Sequence, residues 1–250
     1  VRELAEVSND ILTNRPIDAL QYSVTEGYVP LRDCLRDYMK KTHHIGRDFD
    51  DVLIATGAQQ VMDLTTKSLC NEGDVVLCEA PSFIGSLNTF RSFKVRLRGV
   101  RMEEDGMDLE ALETALREEP AVKFIYTIPN FQNPTGITMS WEKRKAVYAL
   151  AKKYGVMILE DNPYGDLRFS GVIAPGLRVG YAVAPKAVMQ KMVVCKQGED
   201  VHTNIWSQMV CDGFLRRYDF DAHLARLRDI YREKSAYTMD LLDKHLAPYI

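Results

Sequence analysis

The stretch that decides the fold is Val122-Lys123-Phe124-Ile125-Tyr126-Thr127-Ile128, followed four residues later by Asn133-Pro134-Thr135-Gly136. The first segment is an apolar run that predicts a buried strand, and the second contains two dipeptides typical of turns. Asp161 follows a second apolar run at residues 156–159, and Arg178 precedes a third at residues 179–184. Because α/β sheets bind ligands at the carboxyl ends of their strands, these polar groups predict one shared site.

The order of periodic segments along the chain predicts an α/β fold. Strands are expected at residues 52–55, 75–78, 95–97, 122–128, 156–159 and 179–184. Helices are expected at residues 58–69, 84–93, 109–118 and 140–154, and the pattern after residue 185 is helical except near Gly198 and Tyr218. This alternation predicts a doubly wound, mostly parallel sheet with helices on both faces.

Composition narrows the classes of protein that fit. The chain has 250 residues, 46% of them apolar, with 32 basic and 35 acidic residues and a net charge of −3. No basic run long enough to follow a phosphate backbone is present, so nucleic acid is not an expected partner. No apolar stretch reaches the roughly 18 residues that cross a bilayer, so no membrane partner is expected. Five scattered cysteines without metal-ligand spacing predict free thiols, no metal site and a cytoplasmic protein.

The motifs together resemble the class I/II pyridoxal-phosphate aminotransferases of fold type I. The segment Tyr126-Thr127-Ile128-Pro129-Asn130-x-Gln132-Asn133-Pro134-Thr135-Gly136, with Glu160-Asp161-Asn162-Pro163-Tyr164, is most similar to the branch of 2-aminoadipate, kynurenine and aromatic aminotransferases. The resemblance implies pyridoxal 5'-phosphate as cofactor. It also implies a ping-pong transfer of an amino group from an amino acid to a 2-oxo acid, and a homodimer with shared active sites.

The same resemblance assigns roles around the cofactor ring. Asp161 matches the aspartate that holds the proton on the pyridine nitrogen, while Asn133 and Tyr164 match the two partners of the 3-hydroxyl group. Phe83 matches the aromatic residue that stacks on the ring, where tyrosine is commoner. Each residue also has an ordinary interpretation: a strand-end aspartate, a plain turn or a core phenylalanine.

Phosphate binding is predicted from the strand that ends at Thr56-Gly57 and passes directly into a helix. The first N–H groups of that helix, at Ala58 and Gln59, suit an anion, although an ordinary strand-to-helix turn has the same pattern. Arg178 would add a charge-assisted contact to the phosphate, with a surface salt bridge as its alternative. Tyr22 matches a tyrosine that reaches the phosphate of the neighbouring subunit, or else simply packs in its loop.

The resemblance divides the chain into three segments. Residues 1–45 correspond to an amino-terminal helical segment with an interface loop, and residues 46–218 to the cofactor-binding large domain. Residues 219–250 correspond to a connector helix that leads to a small carboxy-terminal domain, which is absent from this chain.

One family feature is missing. The family carries a Ser-x-Ser-Lys segment, whose lysine binds the cofactor as an imine, ahead of a Gly-Leu-Arg-x-Gly stretch. Here Gly176-Leu177-Arg178-Val179-Gly180 is present, but Gly171 runs directly into Val172 and no such lysine precedes it. Either residues are missing from the printed sequence between Gly171 and Val172, or the lysine is truly lost. Lys186, Lys191 and Lys196 are spaced as a solvated helix face.

Two other functions fit the same scaffold. The chain could be the effector domain of a transcription regulator that binds the cofactor as a signal, in which case a basic helix-turn-helix segment would precede Val1. It could also be a lyase that eliminates from the β-carbon of sulfur amino acids, releasing pyruvate and ammonia. Neither alternative changes the predicted cofactor site.

Overall fold

The computed structural model describes residues 2–163 and 175–245. Its main sheet has five strands in the order β4-β3-β2-β5-β6. Strands β2, β3, β5 and β6 are parallel, and β4 pairs antiparallel with β3. Their bounds are β2 (Val75–Ala80), β3 (Arg96–Glu103), β4 (Gly106–Met107), β5 (Val122–Thr127) and β6 (Met157–Glu160). The predicted α/β fold with a mostly parallel sheet is confirmed.

Two predicted strands lie outside that sheet. Strands β1 (Asp50–Ala55) and β7 (Gly180–Pro185) pair antiparallel with each other as a separate two-stranded sheet. Among the described residues, β6 pairs only with β5 and β7 only with β1, so each has one edge without a neighbouring strand. Only 19 residues, 161–179, join the two strands. The sequence pattern located both strands but assigned them to the single, mostly parallel sheet, whereas in the described residues they form a separate antiparallel pair.

Helices cover both faces of the main sheet. Their bounds are α1 (Arg2–Asn14), α2 (Pro16–Leu20), α3 (Val29–Tyr38, with a π-helical turn at Met39–His43), α4 (Ala58–Leu69), α5 (Ile84–Ser92), α6 (Leu109–Glu118), α7 (Trp141–Tyr154), α8 (Lys186–Gln197), α9 (Ile205–Arg217) and α10 (Phe220–His245). One core contains Leu77 and Ile125 with residues of α6 and α7. The other contains Phe124 with residues of α4 and α5. This alternation along each strand confirms the doubly wound arrangement.

Helix α4 joins the two sheets. Its residue Met62 packs in the core of the main sheet beside Phe124, whereas Val61 and Leu64 pack against the two-stranded sheet and α8. The start of α4 therefore lies between the two sheets, and it is held there by apolar packing on both sides. This placement positions the turn that precedes the helix.

The amino-terminal helices pack on the same chain. Val7 and Ile11 of α1 are buried against Met209 and Val210 of α9. In the segment from α2 to α3, Tyr22 and Val24 are exposed, whereas Thr25 and Gly27 are buried. That α10 connects to a further domain stays a prediction.

Three further features of the described residues concern membrane-spanning helices, metal-binding clusters and cysteines. None of their helices is both long and apolar enough to cross a membrane. Within residues 2–163 and 175–245, no group of three or more histidine, cysteine or acidic side chains is arranged to hold a metal ion. All five cysteines are free thiols, which confirms that prediction.

Candidate active site

The turn between β1 and α4 forms a cradle for an anion. Gly57 adopts a φ of 79°, and a Cβ placed there would lie 2.6 Å from a guanidinium nitrogen of Arg178. Among the described residues, no hydrogen bond is accepted from the N–H groups of Ala58 and Gln59. Two open backbone donors and one cation thus meet at the amino end of a twelve-residue helix. That combination suits a phosphate group.

Gln59 and Phe83 extend this site toward α5. Gln59 Nε2 donates to the carbonyl oxygen of Gly85 at 3.1 Å and also to Thr89. Phe83 is half-buried beside the same glycine, since a Cβ at Gly85 would lie 2.6 Å from its ring. The space next to Gly85 is therefore filled by the two predicted site residues. The structure places Phe83 and Gln59 together at the start of α5.

Asp161 lies directly after β6 and is 9% exposed. Tyr126 Oη donates to its Oδ2 at 2.9 Å, and Ser86 Oγ lies 2.9 Å from the same phenol oxygen. Burial raises the pKa of the Asp161 carboxyl, and the hydrogen bond from Tyr126 offsets only part of that effect. Among the described residues Asp161 forms no ion pair. It is a buried carboxylate without a cationic partner in residues 2–163 and 175–245.

Asn133 is positioned by a buried polar network beneath its loop. Glu79 is 1% exposed and accepts from Thr127 Oγ1 at 2.6 Å and from Gln132 Nε2 at 3.0 Å. Gln132 Oε1 in turn accepts from Thr135, which fixes the turn that carries Asn133. The Asn133 side chain is half-buried and makes no hydrogen bond to the described residues. Within the described part of the chain, its amide is therefore free to bind a ligand.

One predicted site residue, Tyr22, is not brought into this group. Tyr22 is 86% exposed, and its ring meets the His202 ring edge-on with 5.8 Å between centroids. Tyr164, the predicted second partner of the 3-hydroxyl group, lies outside the described residues. The junction of Gly171 with Val172, where the lysine was expected, lies outside them too.

The prediction that three lysines form a solvated face is wrong for one of them. Lys186 and Lys191 are exposed, but the Lys196 side chain is fully buried near the end of α8. Its burial is possible because four oxygen atoms surround the ammonium group. The sequence indicated the helical spacing of these lysines correctly, but it did not show that Lys196 faces the protein interior.

Sequence reasoning also missed Tyr126, Glu79 and Gln132. Tyr126 orients Asp161, and Glu79 with Gln132 supports the loop of Asn133. A usable signal existed for Glu79, because it is the one charged residue in the apolar segment 75–80. The other two residues carry no comparable signal, because their roles depend on neighbours that are distant in sequence.

These features match a known family. The family model described as Aminotransferase class I and II matches residues 2–174, so the chain belongs to that family. The chain is 37% identical to a 2-aminoadipate transaminase of Thermus thermophilus over 98% of its length, and spans 66% of that protein. It superposes with a TM-score of 0.91 and 30% identity on the crystal structure of a kynurenine aminotransferase of Pyrococcus horikoshii, covering 97% of this chain and 66% of that one. The chain also shares 30% identity, over 93% of its length, with YisV of Bacillus subtilis, an uncharacterized HTH-type transcriptional regulator of which it spans 52%.

The alignment with the Thermus thermophilus protein has more positions than this chain can fill. It runs over 270 positions, whereas 98% of this chain is about 245 residues. About 25 residues of the relative therefore have no counterpart here. If these residues form one segment, they are enough for an additional strand and its connection, because a crossover between parallel strands needs roughly a dozen residues or more.

Burial of Asp161 predicts a pH-dependent stability effect in the cofactor-free protein. Because folding raises the carboxyl pKa above its ordinary value, the ionised form costs stability, and this cost grows as pH rises through the ordinary aspartate range. Asp161→Asn should therefore raise the midpoint of thermal unfolding at pH 7.5 and change it little at pH 3.5. Differential scanning calorimetry at both pH values measures the effect.

Asp108 provides a matched control of opposite sign. The backbone N–H of Ala111 and the Arg101 guanidinium lower the pKa of Asp108, so its stabilisation is present above the ordinary aspartate pKa and lost as pH falls. Asp108→Asn should lower the unfolding midpoint at pH 7.5. A lower midpoint at pH 7.5 for Asp161→Asn as well would contradict the assigned cost of burying the Asp161 charge.

Proposed function

We propose that this protein is a pyridoxal 5'-phosphate-dependent aminotransferase that moves an amino group between an amino acid and a 2-oxo acid. The observation that carries the proposal is Asp161, a buried carboxylate without a cationic partner among the described residues. Through Tyr126 and Ser86 it is linked to the start of α5, where Gln59 of the anion-binding turn also forms a hydrogen bond. A ligand with a protonated ring nitrogen and a phosphate satisfies both features. Membership in the aminotransferase family supports the same ligand.

The residues present fit noncovalent binding of this cofactor. The N–H groups of Ala58 and Gln59, with Arg178, would hold the phosphate, and Phe83 would cover one face of the ring. Asn133, with Tyr164 as its predicted partner, would hydrogen-bond the 3-hydroxyl group. The bound cofactor supplies an electron sink for charge released at the substrate Cα. Asp161 would hold the proton on the ring nitrogen, and Tyr126 would keep the Asp161 carboxylate oriented.

The lysine that would bind the cofactor covalently is missing from the expected part of the sequence. No lysine occurs between Lys153 and Lys186. The open edges of β6 and β7, together with the surplus of about 25 residues in the relative, support an additional strand between them that carries the lysine. Sequencing the gene across Gly171 and Val172, with the intact mass of its product, tests this directly. An uninterrupted reading with the printed mass would leave a protein that binds the cofactor without a catalytic amine.

The family branch gives the finer proposals. The 37% identity with a 2-aminoadipate transaminase supports an amino acid substrate of the aminoadipate, kynurenine or aromatic group and a role in amino acid biosynthesis. Five free cysteines support a cytoplasmic location. A β-eliminating lyase is the alternative on the same cofactor. Release of pyruvate and ammonia without amino transfer would favour it.

A homodimer is supported by the exposed face between α2 and α3. Ile17, Leu20 and Tyr22 are 74%, 74% and 86% exposed, and Val24 and Val29 are also more than half exposed. A monomeric protein rarely leaves so many large apolar side chains open within one short segment. A second copy of this chain is the proposed occupant, and the exposed Tyr22 would then be available to its partner's site.

The match to YisV supports the regulator as a second candidate. Such a protein would carry a DNA-binding segment in addition to the cofactor site, and the chain spans only 52% of YisV. The gene sequence upstream of Val1 distinguishes the two functions. A basic helix-turn-helix segment there, with cofactor binding but no amino transfer, would favour the regulator.

Cofactor binding itself is the simplest prediction of the proposed function. The purified full-length gene product should be yellow, or become yellow with added pyridoxal 5'-phosphate, because Arg178 and Asp161 together recognise that ligand. Visible absorption measures this after dialysis against cofactor-free buffer. Arg178→Ala is the matched control and should lose its colour on dialysis. A wild-type protein that stays colourless after incubation would contradict the proposal.

A further inference from the structure

Lys196 is a buried amine with a complete set of partners. Its Nζ lies 2.8 Å from Gln60 Oε1, 2.7 and 2.8 Å from the two carboxylate oxygens of Asp200, and 3.0 Å from Thr203 Oγ1. Burying a charge is costly unless it is paired and hydrogen-bonded, so this arrangement is specific to the folded state. Burial lowers the pKa of Lys196, while Asp200 acts in the opposite direction. Because its hydrogen-bond donors are all engaged, the Lys196 ammonium group is not arranged as a free nucleophile.

Each partner of Lys196 also contacts Thr56, the residue that precedes Gly57. Gln60 Oε1 accepts from the backbone N–H of Thr56 at 2.8 Å. Asp200 Oδ2 accepts from Thr56 Oγ1 at 3.0 Å, and Thr203 Oγ1 lies 3.2 Å from the same hydroxyl. Lys196 thus connects the end of α8 to the turn between β1 and α4 through the side chains of Gln60, Asp200 and Thr203.

These contacts determine which groups of the turn remain open. The N–H and the hydroxyl of Thr56 are both directed back into the network, and the N–H of Gly57 donates to Ala55 at 2.9 Å. The open backbone donors of the turn are then those of Ala58 and Gln59. Gly180 closes the opposite side, because a Cβ there would lie 2.8 Å from the Gly57 carbonyl carbon. The turn is therefore held on both sides before any anion binds.

We propose that Lys196 and Asp200 are positioning residues that hold the turn of Thr56, Gly57 and Ala58 in its anion-binding conformation. They act through Gln60 and Thr203 and do not contact the anion. The inference rests on the proposed function in one respect, because it takes this turn as the phosphate site. It assigns a role to the buried lysine that the aminotransferase site does not require.

The test compares the affinities for pyridoxal 5'-phosphate and for pyridoxal, which lacks the phosphate. Equilibrium dialysis of the full-length protein gives both dissociation constants for wild type, Lys196→Met and Asp200→Asn. We expect both variants to bind pyridoxal 5'-phosphate at least about tenfold more weakly and pyridoxal almost unchanged. Lys191→Met is the matched control, because Lys191 is exposed on the same helix and should change neither constant.

Hydrogen exchange provides a readout that is independent of ligand binding. The peptide that contains Thr56 and Gly57, whose N–H groups donate to Gln60 and Ala55, should exchange faster in Lys196→Met, whereas peptides of β5 should not change. Asp200→Asn keeps the buried lysine and tests the inference if Lys196→Met does not fold. Equal weakening of both ligands, or unchanged affinity in Asp200→Asn together with unchanged exchange, would overturn the positioning role. A wild-type protein without any preference for the phosphorylated ligand would instead overturn the phosphate site, and the positioning inference with it.

Discussion

Replacing Asp161 with alanine is expected to reduce the turnover of the full-length enzyme by about a thousandfold or more, with cofactor affinity largely retained. The proposed phosphate contacts, the N–H groups of Ala58 and Gln59 and the Arg178 guanidinium, do not involve Asp161, so binding should keep its main charged interaction. What the variant would lose is the carboxylate that we propose holds the proton on the ring nitrogen. That interaction strengthens as charge enters the ring, so its loss falls mainly on the transition state.

The variants Asp161→Asn and Tyr126→Phe distinguish the effect of the Asp161 negative charge from the effect of the hydrogen bond that orients its carboxylate. The asparagine variant keeps the shape of the side chain and an acceptor for Tyr126, so its turnover should fall nearly as far as that of the alanine variant. Tyr126→Phe keeps the charge and loses only the hydrogen bond, so its loss should be much smaller. Steady-state turnover and cofactor dissociation constants measure both. Reduced affinity with turnover preserved in Asp161→Ala would show that the residue is structural.

The second large effect is expected from mixing two defective subunits. If Tyr22 of one subunit donates to the phosphate held by the other, Tyr22→Phe removes a hydrogen bond to a charged group worth about 1.5–3 kcal/mol. Cofactor affinity should then fall by about tenfold or more. Arg178→Ala should weaken affinity at least as much, because the cation beside Gly57 is lost.

Heterodimers of the two variants distinguish a shared site from a separate one. A heterodimer of Tyr22→Phe with Arg178→Ala would contain one intact site and one doubly damaged site. After unfolding and joint refolding, about a quarter of all sites should regain wild-type affinity in a random two-fold assembly. A titration that only averages the two parents, or a wild-type protein that is monomeric and active in sedimentation, would contradict the shared site.

Much of the fold was accessible from the sequence because local signals were strong. The Asp108 side chain caps helix α6 by accepting a hydrogen bond from the N–H of Ala111. Helix α7 begins after the capping residue Ser140 and ends at Gly155, which has a φ of 66°. The strands were visible as apolar runs. Pairing was not visible, because the antiparallel association of β1 with β7 depends on residues about 130 positions apart. Periodicity alone does not encode such contacts.

The residues of the candidate site also fall into two groups, those with a local sequence signal and those without one. Asn133, Asp161 and Arg178 could be selected because each follows or precedes an apolar run in a recognisable motif. The supporting residues could not, because their roles depend on tertiary contacts. Lys196 shows this most clearly. Its spacing on α8 is that of a solvated helix face, but Asp200 and Thr203, which lie in the loop after the helix, bind its ammonium group.

Transfer of labelled nitrogen tests the proposed function most directly. The full-length gene product, supplied with pyridoxal 5'-phosphate, is incubated with 2-oxoglutarate and a panel of ¹⁵N-labelled 2-aminoadipate, kynurenine, phenylalanine and leucine, and the glutamate formed is analysed by mass spectrometry. An aminotransferase is predicted to produce ¹⁵N-glutamate with at least one donor, and Asp161→Ala should abolish most of the signal. A protein that binds the cofactor but yields no labelled glutamate with any of these donors, or that releases only ammonia and pyruvate from sulfur amino acids, would contradict it.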